Sequence, residues 1–296
     1  MKKILVVAAL LTLAFFMVIP VIATGEGLPG KLQPRNFGFS MPVTMPPFDA
    51  PPYYYRGIEM LAFIYETDDE AAAAVLPEGL TLANSPAVAQ VLFPDFHFST
   101  LGAYKEVIIG LNALWKGQPV TYCVGLLVTN EVGLIGGREP YGFPKLFANI
   151  EWSKERNLIS AWAERPTGKR IATGVLRPRD ILKPEDVASN PLVTLKVIPS
   201  PEEGAPPEVC ELVMTPIKFE LITGSDGKGE GFVGPGNVTF DSPSAVDGYF
   251  RLPVKRMIAS SWGRYNFVLS YGKVIKRYTP IKPGVTDAMG IVHPAK

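Results

Sequence analysis

Gly137-Arg138-Glu139-Pro140-Tyr141-Gly142-Phe143-Pro144-Lys145-Leu146-Phe147 sets one lysine among apolar and conformationally special residues. Lysine normally keeps its ammonium in water. A Lys145 flanked by Phe143, Pro144, Leu146 and Phe147 therefore either runs its stem past an apolar patch or is held there for its amine. In the second case desolvation disfavours the charged form and leaves a nucleophile able to attack a carbonyl and form a Schiff base. Gly142 permits a positive φ, while Pro144 fixes its own φ and pushes Phe143 into an extended conformation. The stretch thus reads as a turn that aims a lysine, with Tyr141 and Phe143 as its walls. Arg138 reads as a brace of this loop, paired with Glu139 or another acid.

Working outward, the surrounding chain is strand after strand. Residues 53–65 are rich in aromatic and β-branched side chains, and strands are expected at 87–93, 104–109, 118–129, 147–153, 158–165, 169–176, 192–198 and 209–219. Residues 253–278 are again apolar and strand-prone, with Lys255, Arg256, Lys273, Lys276 and Arg277 as a solvated face. Two helices interrupt: 69–76, capped by Asp68 or Thr67 and stopped by Pro77, and 179–188 around Pro184-Glu185-Asp186. Sequential strands joined by short turns, without alternating helices, predict a mostly antiparallel sheet or barrel rather than a doubly wound α/β fold. Periodicity alone leaves barrel and sandwich open.

Composition excludes several classes. The 296 residues are 47% hydrophobic and 19% charged, enough for one large domain with a sizeable core. A net charge of +1 and the absence of basic runs argue against nucleic acid as a partner. Two histidines, His97 and His293, and two cysteines, Cys123 and Cys210, do not make the usual zinc constellations, so neither metal nor other cofactor is expected. The cysteines read as small buried hydrophobes, with a single bridge as the alternative. His97 alternates with Phe96 and Phe98 on the polar face of a strand. Gly229-x-Gly231-x-x-Gly234 fits a dinucleotide fingerprint by letter only, because Pro235, Gly236 and β-like residues follow where a helix is required.

The chain starts with Lys2 and Lys3, then an apolar run from Ile4 to Ala23 that closes on Val21-Ile22-Ala23. This is a secretory signal pattern with cleavage after Ala23, and its length also suits an uncleaved membrane anchor. Export to the periplasm or medium is expected either way, with membrane contact confined to residues 4–23. Residues 24–52 read as a Pro-rich arm, 53–278 as the domain and 279–296 as a peripheral tail.

Gly137-Arg138-Glu139 followed by Phe143-Pro144-Lys145 resembles the acetoacetate decarboxylase family, whose catalytic lysine follows an aromatic-Pro pair. The likeness spans about residues 52–278 through Tyr65-Glu66-Thr67-Asp68, Leu76-Pro77-Glu78, Gly102-Ala103-Tyr104-Lys105-Glu106, Leu195-Lys196-Val197-Ile198-Pro199, Cys210-Glu211-Leu212 and Leu252-Pro253-Val254-Lys255. It implies a mainly β fold, a closed antiparallel β-barrel with a few short helices, whose interior holds Lys145. It also implies Glu106 as a pocket carboxylate that moves protons. Gln90 falls where the family has a second glutamate, and an amide there could orient substrate but not take a proton. The family arginine that meets the substrate carboxylate aligns with Ile58, and Arg56, two residues away on a strand, is the candidate to replace it. Leu146 stands where the decarboxylases proper have a second lysine. The resemblance itself implies decarboxylation of a small β-keto acid such as acetoacetate, while Leu146 points to the main alternative. An aldolase-dehydratase joining a keto acid such as pyruvate to an aldehyde is the alternative, and a barrel that binds a carbonyl or apolar ligand without turnover is the third reading. A homo-oligomer is implied as well.

Overall fold

The computed structural model describes residues 28–244, 247–279, 281, 284–286 and 292–293. The expected leader, 1–23, and most of the tail lie outside the described residues. The chain first forms β1 (Tyr53–Glu66), α1 (Asp69–Val75), β2 (Leu80–Leu82), β3 (Val88–Phe96), β4 (Tyr104–Trp115) and β5 (Gln118–Val128). Helix α2 (Glu131–Tyr141) and strands β6 (Lys145–Phe147), β7 (Asn149–Glu155), β8 (Leu158–Glu164) and β9 (Arg170–Leu176) follow. After them come β10 (Asp180–Ile181), β11 (Leu192–Ile198), β12 (Val209–Thr215), β13 (Glu220–Leu221), β14 (Gly231–Val233), β15 (Gly236–Thr239), β16 (Arg256–Leu269) and β17 (Lys273–Arg277). A short hairpin of β18 (Val285–Thr286) and β19 (Val292–His293) lies in the tail.

The strands make a large sheet in the order β10-β14-β16-β1-β3-β4-β5-β11-β12-β17, with β13, β2 and β6 added on β16, β4 and β5. A second sheet runs β15-β9-β8-β7. The chain is mainly β with short helices, as expected, but the closed antiparallel barrel is not formed. The large sheet keeps two edges, β10 and β17, that do not pair with each other, and its β5–β11 and β5–β6 ladders are parallel. Closure needs a continuous register around the ring. Strand β10 offers only two residues before the 3₁₀ turn Pro184–Asp186 redirects the chain.

Period-two alternation gives the large sheet two different faces. Leu61, Phe63, Val91, Phe93, Val107 and Ile109 point to one side and pack on Ile150, Ile159, Ala161, Ala163 and Ile171 of the second sheet. Gly174 on β9 allows the two sheets to approach, since a Cβ there would come within 2.3 Å of the Phe63 ring. On the other side, Met60, Leu92, Phe96, Tyr104, Leu126, Tyr265 and Phe267 belong to a separate cluster. That second face lines the cavity described below.

Helix α1 forms where the sequence predicts it, with the Asp68 carboxylate accepting from the Ala71 N–H at 3.1 Å. The helix expected over 179–188 is instead β10 and the 3₁₀ turn, while α2 is a helix that the sequence pattern does not predict, and the turn expected before Lys145 begins at its C-cap, Gly142. The Pro-rich arm is fixed at its end. Phe48 is buried and meets Tyr53 edge to face at 6.5 Å. Residues 229–236 enter strands β14 and β15 rather than a helix. Both cysteines are free, Cys123 buried and Cys210 half-buried.

Candidate active site

Lys145 opens β6 directly after α2, and the local sequence explains how it gets there. Asn130 caps the helix by accepting from the Gly133 N–H at 2.7 Å. Gly142 ends it in the left-handed conformation, φ +72°, and its N–H returns to the carbonyls of Arg138 and Gly137. Pro144 then extends the chain into a parallel pairing with β5, Lys145 opposite Leu126 and Leu146 opposite Leu127. Neighbouring residues of a strand face opposite ways. Lys145 therefore enters the cavity, while Leu146 packs against the core between the sheets.

The amine is deeply enclosed, with Lys145 only 5% and Glu106 4% exposed. Nζ donates to Glu106 Oε1 at 2.6 Å and to the Gly133 carbonyl at 2.8 Å. It also lies over the faces of Tyr104, 5.7 Å from the ring centroid, and Phe143, 5.6 Å. The Tyr104 hydroxyl shares a 2.6 Å hydrogen bond with that of Tyr55. Burial pushes the Glu106 carboxyl above the ordinary carboxylate range, and the Lys145 charge and hydrogen bond oppose that rise. Burial likewise raises the phenols of Tyr55 and Tyr104, which stay protonated beside it. A carboxyl with a raised affinity for protons, hydrogen-bonded to an amine, can hold the amine's proton and leave nitrogen with a free lone pair.

Both groups sit on the wall of a cavity of about 230 Å³. Its lining is mainly apolar, with Gln90, Asn112, Thr121, Ser189, Asn190 and Ser261 as uncharged polar residues and Asp186 at the exposed rim. The family model described as acetoacetate decarboxylase (ADC) matches residues 40–279. The chain belongs to the acetoacetate decarboxylase family. Among its relatives, Decarboxylase DEC1 of Cochliobolus heterostrophus is 27% identical over 243 residues, 79% of this chain and 93% of that protein. An acetoacetate decarboxylase of Acidiphilium cryptum is 28% identical over 250 residues, 82% of this chain and 97% of that protein. The crystal structure of an acetoacetate decarboxylase from Legionella pneumophila matches with a TM-score of 0.73 at 25% identity, over 86% of this chain and 99% of that one.

For this family member the expected site residues divide. Lys145, Glu106, Gln90 and Phe143 all line the cavity. Tyr141 is buried behind Phe143, ring centroids 5.6 Å apart, and its carbonyl accepts from Thr194. It supports the wall from outside the cavity. Arg138 is exposed and braces the lysine strand, but through the Lys145 carbonyl, to which Nη1 donates at 3.0 Å, rather than through an acid. Arg56 does not reach the cavity. It is exposed, donates to the carbonyls of Tyr55 and Phe267, and lies over the Tyr54 ring. A bulge between Tyr55 and Ile58, with Gly57 at φ +63°, inserts a residue and puts Tyr55 and Ile58 on one face and Arg56 on the other. Spacing alone had put Arg56 and Ile58 together.

Two residues beside the amine escaped the sequence reading: Tyr104 and its partner Tyr55. The signal for Tyr104 was present, because on β4 it stands two residues from Glu106 and shares its face. Tyr55 comes from β1, and nothing local announces that pairing. The Cys123 thiol, raised to about 12 by burial, is inert packing close to the pair.

Proposed function

We propose that the chain decarboxylates a β-keto acid through an imine on Lys145. The supporting observation is the enclosed Lys145–Glu106 pair on an apolar cavity wall, in a member of a family of lyases. Glu106 takes a proton from the amine, and the free Nζ attacks the ketone carbon. The resulting carbinolamine loses water as Glu106 returns the proton. The iminium then draws in the electron pair of the breaking carbon–carbon bond as carbon dioxide departs. Protonation of the enamine carbon and hydrolysis release the ketone and restore the amine. Apolar walls favour the middle step, because a carboxylate loses solvation there that neutral carbon dioxide does not need. Gln90 is the uncharged group on the wall that can orient the substrate.

Position 146 faces the core, so the leucine there does not separate decarboxylation from addition of the same enamine to an aldehyde. The products separate them. Borohydride added with acetoacetate should fix the substrate's carbon skeleton on the peptide holding Lys145, and carbon dioxide should be released without any aldehyde. Fixation on Lys145 with release only of a condensation product would replace decarboxylation by the aldol reading. Neither fixation nor gas would leave a binding protein. We further propose that the protein is exported, on the strength of residues 1–23.

A further inference from the structure

The cavity is larger than a four-carbon acid needs, and one row of the large sheet runs across its lining. Lys145 pairs with Leu126, Leu126 with Ile108, Ile108 with Leu92, Leu92 with Ala62, and Ala62 with Ser261. All six line the cavity. At roughly 4.8 Å per strand, the row extends on the order of 20 Å along the curved sheet from the Lys145 backbone to that of Ala62, and the amine, bonded to Glu106 on β4, sits over its near half. The volume of about 230 Å³ compares with roughly 10–15 Å³ needed for one water.

An aromatic wall runs beside that row. Tyr104 lies under the amine, Phe96 is 4.8 Å from Tyr104, Phe267 6.0 Å from Phe96, Phe219 5.0 Å from Phe267, and Tyr265 6.1 Å from Phe219, measured between ring centroids. All five line the cavity. Charge is scarce there. Among the described residues, Lys145 is the only cation that lines the cavity, and it is already paired with Glu106. Ile58 is fully buried in the apolar cluster, and Arg56 is turned outward by the bulge. A small keto acid would find no spare positive charge and would leave most of the apolar wall uncovered.

We propose that the substrate is a β-keto acid whose ketone carries an extended apolar substituent of several carbons, laid along the Leu126–Ile108–Leu92–Ala62 row. This rests on the imine reading of Lys145. Loss of carbon dioxide from such an acid, R–CO–CH₂–COOH, with the carboxyl proton returned to the α-carbon, gives the methyl ketone R–CO–CH₃. Water consumed in hydrolysing the imine equals water released in forming it.

The test is a chain-length series of 3-oxo acids from acetoacetate to 3-oxooctanoate, with the methyl ketones quantified. Burial of each added methylene should raise kcat/KM about fourfold, roughly 200-fold over the series. In Ala62→Phe, which obstructs the far part of the row, the ratio of long to short substrate should fall at least tenfold. A flat series, or acetoacetate preferred, with borohydride still fixing substrate on Lys145, would overturn the extended-chain proposal and leave the imine reading intact. If borohydride fixes none of the acids on Lys145, the imine reading fails by itself, and 2-heptanone binding then decides the cavity's preference. Thermal stabilisation by 2-heptanone but not acetone, lost in Ala62→Phe, would support an apolar-chain ligand, and no stabilisation would overturn it.

Discussion

Gly137→Ala should leave the protein folded and disable its amine. A Cβ at this position of α2 would lie 2.4 Å from Lys145 Cε and 2.7 Å from both Cδ and Nζ. Ordinary contact begins at 3.4 Å, so something must move by about 1 Å. The helix is fixed by its caps and packing, while the lysine stem is a chain of single bonds, so the lysine gives way. Overpacking costs about 1–3 kcal/mol, and alanine in place of a helical glycine returns about 1 kcal/mol. Net destabilisation should stay below about 2 kcal/mol. The amine, however, loses its two short hydrogen bonds, to Glu106 and to the Gly133 carbonyl. A displacement of about 1 Å of a reacting group costs on the order of 100-fold in rate. The assay compares the rate of borohydride-trapped adduct formation and the thermal midpoint of Gly137→Ala with those of Gly136→Ala. At Gly136 the nearest atoms to an added Cβ would be those of Leu101 and Phe48, at an ordinary 3.6–3.7 Å. That variant should gain stability, by about 2–4 °C, at unaltered adduct rate. Gly137→Ala that traps substrate at the wild-type rate would refute the claim that this glycine makes room for the lysine.

Three further outcomes follow from the same geometry. Glu106→Gln should slow adduct formation roughly 10²–10⁴-fold, since the amide cannot take the amine's proton. Because burial raises the Glu106 carboxyl, the wild-type rate should fall as pH drops through a value above the ordinary carboxylate range. That acid limb should vanish in the variant, and its persistence would assign the titration to another group. Leu146→Lys should cost about 1–3 kcal/mol, measured by denaturant unfolding, because it replaces a leucine packed on the core between the sheets. Its pH profile for adduct formation should match wild type, and a shifted profile would mean that position 146 does act on the amine. N-terminal sequencing of the protein from its host should begin at Thr24, whereas an intact Met1 on membranes would establish an anchor.

The Lys145–Glu106 pair became legible through the family resemblance. Lys145 stands out locally for a charge among apolar neighbours, but Glu106 by itself reads as a surface glutamate beside Lys105, and only its place in the resemblance puts it in the pocket. Helix α2 was not legible. Gly133, Gly136, Gly137 and Pro140 all lower helix propensity, and their reason for being there lies elsewhere in the chain. Gly137 admits the lysine stem. At Gly133 a Cβ would be 3.0 Å from the Tyr104 ring, and its carbonyl holds Nζ. Tertiary contact with the site overrides propensity, and a local reading sees only the cost. The open sheet was likewise hidden. Strand existence follows from pattern, but whether β10 meets β17 depends on register summed over the whole sheet.

The Arg56 outcome shows how a correct rule failed at one residue. Side chains two apart share a face only while pairing is regular, and Gly57 marks where it is not. Its φ of +63° is the conformation that glycine adopts without steric cost, and the ladder to β16 shifts between Tyr55 and Ile58. The extra residue preserves Tyr55 as a cavity residue in step with Met60, Ala62 and Ile64, and it expels the arginine. Tyr55 then stacks on Phe267, centroids 4.2 Å apart, and hydrogen-bonds Tyr104 beside the amine. A regular strand would have to surrender one of these placements, either the phenol pair at one end or the apolar row at the other. The bulge keeps both at the expense of a cation in the cavity, which is why the cavity's chemistry rests on one amine and its apolar walls.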